Sequence, residues 1–196
     1  TLTVNSTLLP TPGATVVSYQ DSQPRGYYQP WSATNTIGYT GGDSGAMRTT
    51  REHTLLRDAI NYVNGLGQFP SGASIDGDGD GFVDSLTFVV YGSPTGWSSL
   101  LWPHAWSLYT YTVTINGKTV SGYQFQLQST INTGVLAHET FHVLGAPDLY
   151  HYSGDGYQPV GGWDVMEVDA DPPQHMGCFM KFKYGLWISS IPELTA

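Results

Sequence analysis

Positive charge is scarce in this chain. Seven Lys and Arg face sixteen Asp and Glu, a formal net charge of −9 over 196 residues. No basic patch exists that could neutralise several phosphates, which excludes nucleic acid and anionic membrane surfaces as partners. Cysteine is almost absent as well. Cys178 alone cannot form an internal disulfide, and between Gly177 and Phe179 it is expected to be a small buried apolar residue. No apolar run approaches the ~20 residues of a membrane span. The start Thr1-Leu2-Thr3-Val4 lacks an initiator Met and a basic leader and reads as a processed N-terminus. Charged residues are 12% of the chain where about 25% is usual, so Ser, Thr, Asn, Gln and Tyr must supply the polar surface. A secreted, monomeric protein is the expectation. Hydrophobic residues at 40% and aromatics at 13% exclude disordered and collagen-like chains, and the length suits one domain, residues 1–196.

Residues 1–50 carry Pro10, Pro12, Pro24 and Pro30 with scattered glycines, a pattern of irregular or short-strand structure. From Thr50 to Leu66 the apolar positions Leu55, Leu56, Ala59, Ile60 and Val63 form a helical stripe, which Gly65 and Gly67 end. Phe82 to Tyr91 is β-branched and aromatic. Tyr109 to Ile115 and Thr119 to Gln128 flank Asn116-Gly117, a type I′ hairpin signal. Helical spacing returns from Thr133 to Leu144 and stops at Gly145. The chain beyond Ala146 is punctuated by Gly and Pro as far as Phe179, where a further regular segment is expected to Ile188. The expected fold is α+β: a mixed sheet with both helices on one face and a loop-rich C-terminal part, the cleft running between roughly 1–145 and 146–196.

His138-Glu139-Thr140-Phe141-His142 has the pattern HExxH. Residues four apart on a helix differ by about 40° around its axis, so both imidazoles face one point and can share a metal. Glu139 stands beside them, placed to act on a water without being a ligand. With six His and four Glu in the chain, a chance match has an expectation of about 0.4%, so two core histidines are the poorer explanation. Gly145 can take positive φ at the helix end and turn the chain back, which makes Asp148 the natural third ligand. Two imidazoles and a carboxylate suit Zn²⁺ with its fourth position open to water. His151, three residues later, and Glu167, 25 residues after His142, are the rivals. Gly161, Gly162, Pro172 and Pro173 bracket Glu167, so no useful helix presents it and a surface or capping role is expected. Gly162 to Met166 supplies a turn that delivers Met166 as an apolar floor. His53, His104 and His175 are expected to be structural, and His175 or Tyr184 is a candidate donor to the reaction's oxyanion.

Asp76-Gly77-Asp78-Gly79-Asp80-Gly81-Phe82-Val83-Asp84 crowds four carboxylates into nine residues. Oxygens at positions 1, 3, 5 and 9, a Gly at 6 and the Phe82 carbonyl at 7 follow the Ca²⁺ loop of an EF-hand. Position 12 is Thr87 and a strand follows, so the expectation is a structural Ca²⁺ site rather than a sensor.

Together, His138 to Tyr150 (HETFHVLGAPDLY), Val160 to Met166 (VGGWDVM), Leu101 to Trp106 (LWPHAW), Asp76 to Asp84 and, more loosely, Pro173 to Trp187 resemble the immune inhibitor A-like secreted metallopeptidases, relatives of the metzincins. The resemblance spans residues ~50 to 190. It implies a metzincin-like zincin domain with His138, His142 and Asp148 on zinc, Glu139 as general base and Met166 in a Met-turn. The implied function is an endopeptidase acting on proteins or peptides through a Glu139-activated water at the metal. The strands between Tyr109 and Gln128 are expected to offer the edge on which an extended substrate pairs. Amidase or esterase chemistry on a non-peptide substrate and a non-catalytic Ca²⁺-stabilised binding module are the alternatives.

Overall fold

A computed structural model describes residues 18–67 and 72–191. The expected processed start and the short apolar pieces of residues 1–17 lie outside the described residues. Helix α1 runs Ala46–Gly65 and begins four residues ahead of the expected Thr50, because Ala46, Met47 and Arg48 are good helix formers that precede the apolar stripe. Its buried side is Glu52, His53, Leu55, Leu56 and Ile60, and Gly67 at φ +61° ends the turn that follows.

Among the described residues five strands follow: β1 Thr87–Val90, β2 His104–Ser107, β3 Thr114–Ile115, β4 Lys118–Thr119 and β5 Gly122–Leu127. Two sheets form, one in the order β1-β5-β2 and the other the pair β3-β4. β1 runs parallel to β5 with Phe88 opposite Phe125, and β2 runs antiparallel to it with His104 opposite Phe125. The hairpin is where the sequence expects it, with Asn116 and Gly117 both at positive φ, as a type I′ turn requires. The flanking strands are much shorter than expected. Phe82 makes only an isolated bridge to Thr119, and the run from Thr119 to Gln128 breaks at Val120-Ser121, whose carbonyl and amide bond Leu108 and Val113 instead.

The two long helices do not share one face of the sheet. Tyr123 donates to Glu52 of α1, whereas Gln124 donates to Thr140 of the second helix, α2 Thr133–Val143. Successive strand side chains point to opposite faces, so β5 lies between the helices. Its α1 side is apolar, with Tyr123, Phe125 and Leu127 in one core with Leu55, Leu56 and Ile60. Its α2 side carries Gln124 and Gln126, both buried.

A second core joins Phe141, Ala146, Val165, Met166 and Met180, the last from α3, Cys178–Lys183. Met180 is the buried residue of this short helix and Cys178 is exposed, contrary to expectation: one turn of helix buries one side chain, and Cys178 lies off that face. Gly134 locks the start of α2 to the C-terminal part, for a Cβ there would stand 2.1 Å from the Ala170 carbonyl oxygen. Among the described residues no helix is long and apolar enough to cross a membrane.

Between α1 and the sheet sits a buried ionic group. Glu52, 2% exposed, accepts from Tyr123 Oη and from His104 Nε2 at 2.8 Å, and lies 3.5 Å from Arg48. His104 Nδ1 faces the Trp102 carbonyl at 2.6 Å, so both ring nitrogens carry protons and the ring is an imidazolium. Burial opposes the charge on both, yet the pairing holds Glu52 below its usual range and His104 above it. The depressed Glu52 stabilises the fold above its ordinary pKa and loses that contribution as pH falls; the raised His104 stabilises below its ordinary pKa and loses it as pH rises. Glu52→Gln should therefore cost most, about 3 kcal/mol, between pH 4.5 and 6.5, with the deficit shrinking on either side. Urea melts of both proteins from pH 3 to 9 measure it, and a deficit that does not vary with pH would refute the pairing.

Candidate metal centre

Asn132 caps α2 by accepting from the Val135 amide at 2.9 Å, which fixes the helix that carries HExxH. At its other end Gly145 sits at φ +90°, and the Ala146 amide returns to the Phe141 carbonyl at 3.1 Å. The chain reverses within one turn, as such a cap allows. The reversal brings the Ala146 carbonyl to His142 Nδ1 at 2.8 Å. A second loop brings the Val165 carbonyl to His138 Nδ1 at 2.8 Å, and the Leu149 amide ties the two loops together through the Met166 carbonyl.

With each Nδ1–H given to a carbonyl, each Nε2 presents a lone pair. Those two nitrogens stand 3.2 Å apart, and Asp148 Oδ1 lies 3.0 and 3.2 Å from them. A tetrahedral zinc with bonds of 2.0–2.1 Å separates its ligands by about 3.3 Å. Asp148 Oδ1 is buried and accepts no hydrogen bond, so the donor set fits a divalent cation. Without one, protons must keep these atoms together. Burial works against charge on the histidines, but Asp148 pushes His138 up to about 9 and raises His142, while its own carboxyl, despite burial, falls well below the carboxylate range. A metal ion would displace those protons.

Glu139 is buried beside this group with Oε2 unpartnered, and burial raises its pKa. The rivals stand elsewhere. His151 pairs with Asp155 at 3.1 Å. Glu167 caps the turn at Gly161–Trp163, accepting from the Val160 and Gly161 amides at 2.6 and 2.9 Å; it is a cap as expected but buried, not at the surface. Met166 is fully buried in the second core, and the turn before it is held by Asp164, which accepts from the Met166 and Gly177 amides.

His138, Glu139, His142, Asp148 and Glu167 line a cleft of roughly 1760 Å³, walled by residues 43–143 on one side and 147–169 on the other, whereas Met166 and His151 do not. Its lining includes Tyr150 and Tyr152 but neither His175 nor Tyr184, the expected oxyanion donors. Tyr184 packs into the second core instead and His175 is exposed. Tyr152 is the residue that the sequence reading overlooked: its hydroxyl donates to Asp148 Oδ2, leaving Oδ1 for the histidines. The spacing of four between Asp148 and Tyr152 was its only signal.

The acidic loop is partly assembled. Asp76, Asp78 and Asp84 bring one carboxylate oxygen each within 4.8 Å of one another. Asp80 stands outside the group and accepts from the Phe82 amide at 2.8 Å, and Phe82 has its side chain exposed. Lys118 already contacts Asp76 at 2.6 Å, so part of the expected repulsion is offset by the chain's own cation.

Asp148→Ala should weaken zinc binding by at least about 10²-fold and Tyr152→Phe by 10- to 100-fold, while His151→Ala leaves it unchanged. Competition with a chromogenic chelator measures all three. Calcium should raise the melting temperature of the zinc-loaded protein and Asp84→Asn should abolish the rise; identical melting curves with and without Ca²⁺ would make the loop an ordinary turn.

No family model matches the chain and no curated protein matches it, so what this centre can do is read from its own geometry.

Proposed function

We propose that this protein is a secreted zinc endopeptidase of the kind that residues ~50 to 190 resemble, the immune inhibitor A-like metallopeptidases. The observation that carries the reading is the convergence of His138 Nε2, His142 Nε2 and Asp148 Oδ1 within 3.0–3.2 Å, with the unpartnered Oε2 of Glu139 beside them. Zinc held there would polarise a scissile carbonyl and make water a usable nucleophile near neutral pH. Glu139 takes the proton of the attacking water and passes it to the leaving nitrogen. Burial suits it to both steps, because a carboxyl with raised pKa holds the proton between them. Met166, fully buried with Phe141 and Val165, takes the part of an apolar floor in this reading.

The edge that would take a substrate is β2, not the strands from Tyr109 to Gln128. β5 is the centre of its sheet and β3-β4 form a separate pair, whereas among the described residues β2 has one neighbour, and its residues His104 to Ser107 line the cleft. An extended peptide pairing there meets the exposed Trp106 and gives main-chain hydrogen bonds that ignore sequence. Peptides suit this edge better than small acyl substrates, which have no strand to add.

Glu139→Gln should keep one equivalent of zinc and lower turnover of a denatured protein substrate by at least about 10²-fold. Metal analysis by mass spectrometry and gel or fluorogenic assays read the two outcomes. A Glu139→Gln protein of undiminished activity would sink the mechanism, and a zinc-loaded wild type that cleaves no unfolded protein would sink the function.

A further inference from the structure

Glu167 carries more than its capping role. It is 8% exposed, and a single oxygen, Oε2, accepts both the Val160 and the Gly161 amides. The other, Oε1, is buried and meets no donor. Among the described residues no Lys, Arg or His forms an ion pair with Glu167. A buried carboxylate oxygen without a donor is costly, by more than a neutral group would be. The backbone amides hold one oxygen of this carboxylate, and Glu167 is among the residues that line the cleft.

The position is close to the candidate chemistry. Glu167 lies two residues after Val165, whose carbonyl holds His138. It lines the cleft together with Thr130, Asn132, Val135 and Asp169. Asn132 and Val135 are the cap and first turn of α2, one turn ahead of His138 and Glu139. Asp169 is exposed and adds a second negative charge at the mouth. The one Lys or Arg in the cleft lining, Arg48, is engaged with Glu52 and the Ser99 carbonyl.

We propose that this end of the cleft is a specificity pocket for a basic side chain, Lys or Arg, next to the scissile bond. Glu167 Oε1 accepts the ammonium or guanidinium at the bottom, Thr130 and Asn132 supply polar walls, and Val135 packs on the aliphatic stem, as long basic side chains prefer. One free oxygen gives a single charge-assisted hydrogen bond rather than a bidentate grip, so the pocket distinguishes basic from neutral residues and not Lys from Arg. This selectivity rests on the endopeptidase reading, since it is read out at a cleaved bond; the pocket itself can be tested apart from cleavage.

Cleavage sites in a denatured protein digest, mapped by mass spectrometry, should show Lys or Arg enriched at least fivefold at one of the two positions flanking the cut. The kcat/KM ratio of a Lys peptide to its norleucine analogue should fall at least tenfold in Glu167→Gln. That variant keeps one carbonyl oxygen for the Val160 and Gly161 amides and turns an NH₂ toward the cleft, and its melting temperature checks the fold. Independently, n-butylguanidinium should bind the wild type and shift amide resonances of residues 130–135 and 165–169, whereas n-butylurea should not. Absence of enrichment, enrichment that survives Glu167→Gln, or equal binding of the cation and the urea overturns the pocket. If no bond is cleaved at all, the endopeptidase reading falls, and the binding comparison still decides the pocket.

Discussion

Three lone pairs at hydrogen-bond distance from one another repel unless something positive lies between them. The arrangement at His138, His142 and Asp148 exists because every other atom of those side chains is committed elsewhere. Each imidazole spends its Nδ1 proton on a carbonyl, Val165 for one and Ala146 for the other, and Asp148 spends Oδ2 on Tyr152. The carbonyls are in turn held by the reversal at Gly145 and by the Leu149 to Met166 hydrogen bond. The loops after α2 are therefore best understood as scaffolding for three side-chain orientations, and the second core of Phe141, Ala146, Val165, Met166 and Met180 gives that scaffolding its rigidity.

The sheet supports the opposite wall by different means. β5 is hydrophobic toward α1 and amide-lined toward α2, so the helix that carries HExxH is held to the sheet by hydrogen bonds such as Gln124 to Thr140 at 3.2 Å as well as by packing. The ionic group of Glu52, His104, Tyr123 and Arg48 anchors β2, the strand that faces the cleft, to α1. A charged group of this kind contributes less stability than an apolar one of equal volume, but it fixes position, because each partner has one acceptable geometry.

What depends on neighbours in sequence was legible in the sequence. The histidine spacing, the reversal at Gly145, the turn at Asn116-Gly117 and the Gly145-to-Asp148 distance are all local, and each is found where the spacing put it. What depends on distant pairing was not. Period-2 patterning says that one strand face is buried, yet β5 is buried on both, and its glutamines disguise the face that meets α2. Strand order cannot be read from a hairpin signal, and so nothing in the sequence marked β5 as the central strand of its sheet. Glu52 looks like an ordinary exposed helix residue until His104, 52 positions on, arrives beside it. Cys178 was assigned by its residue type, whereas its exposure follows from the length and orientation of a six-residue helix.

The contact between Gly134 and the Ala170 carbonyl makes the cleft a jaw riveted at one end. Backbone lies against backbone there, with no side chain to flex, so any side chain at position 134 would force the two walls apart. Under the proposed endopeptidase reading, a peptide would lie along this close-set end as an extended strand. Access would then be governed, under the same reading, by how often a target chain frays or unfolds.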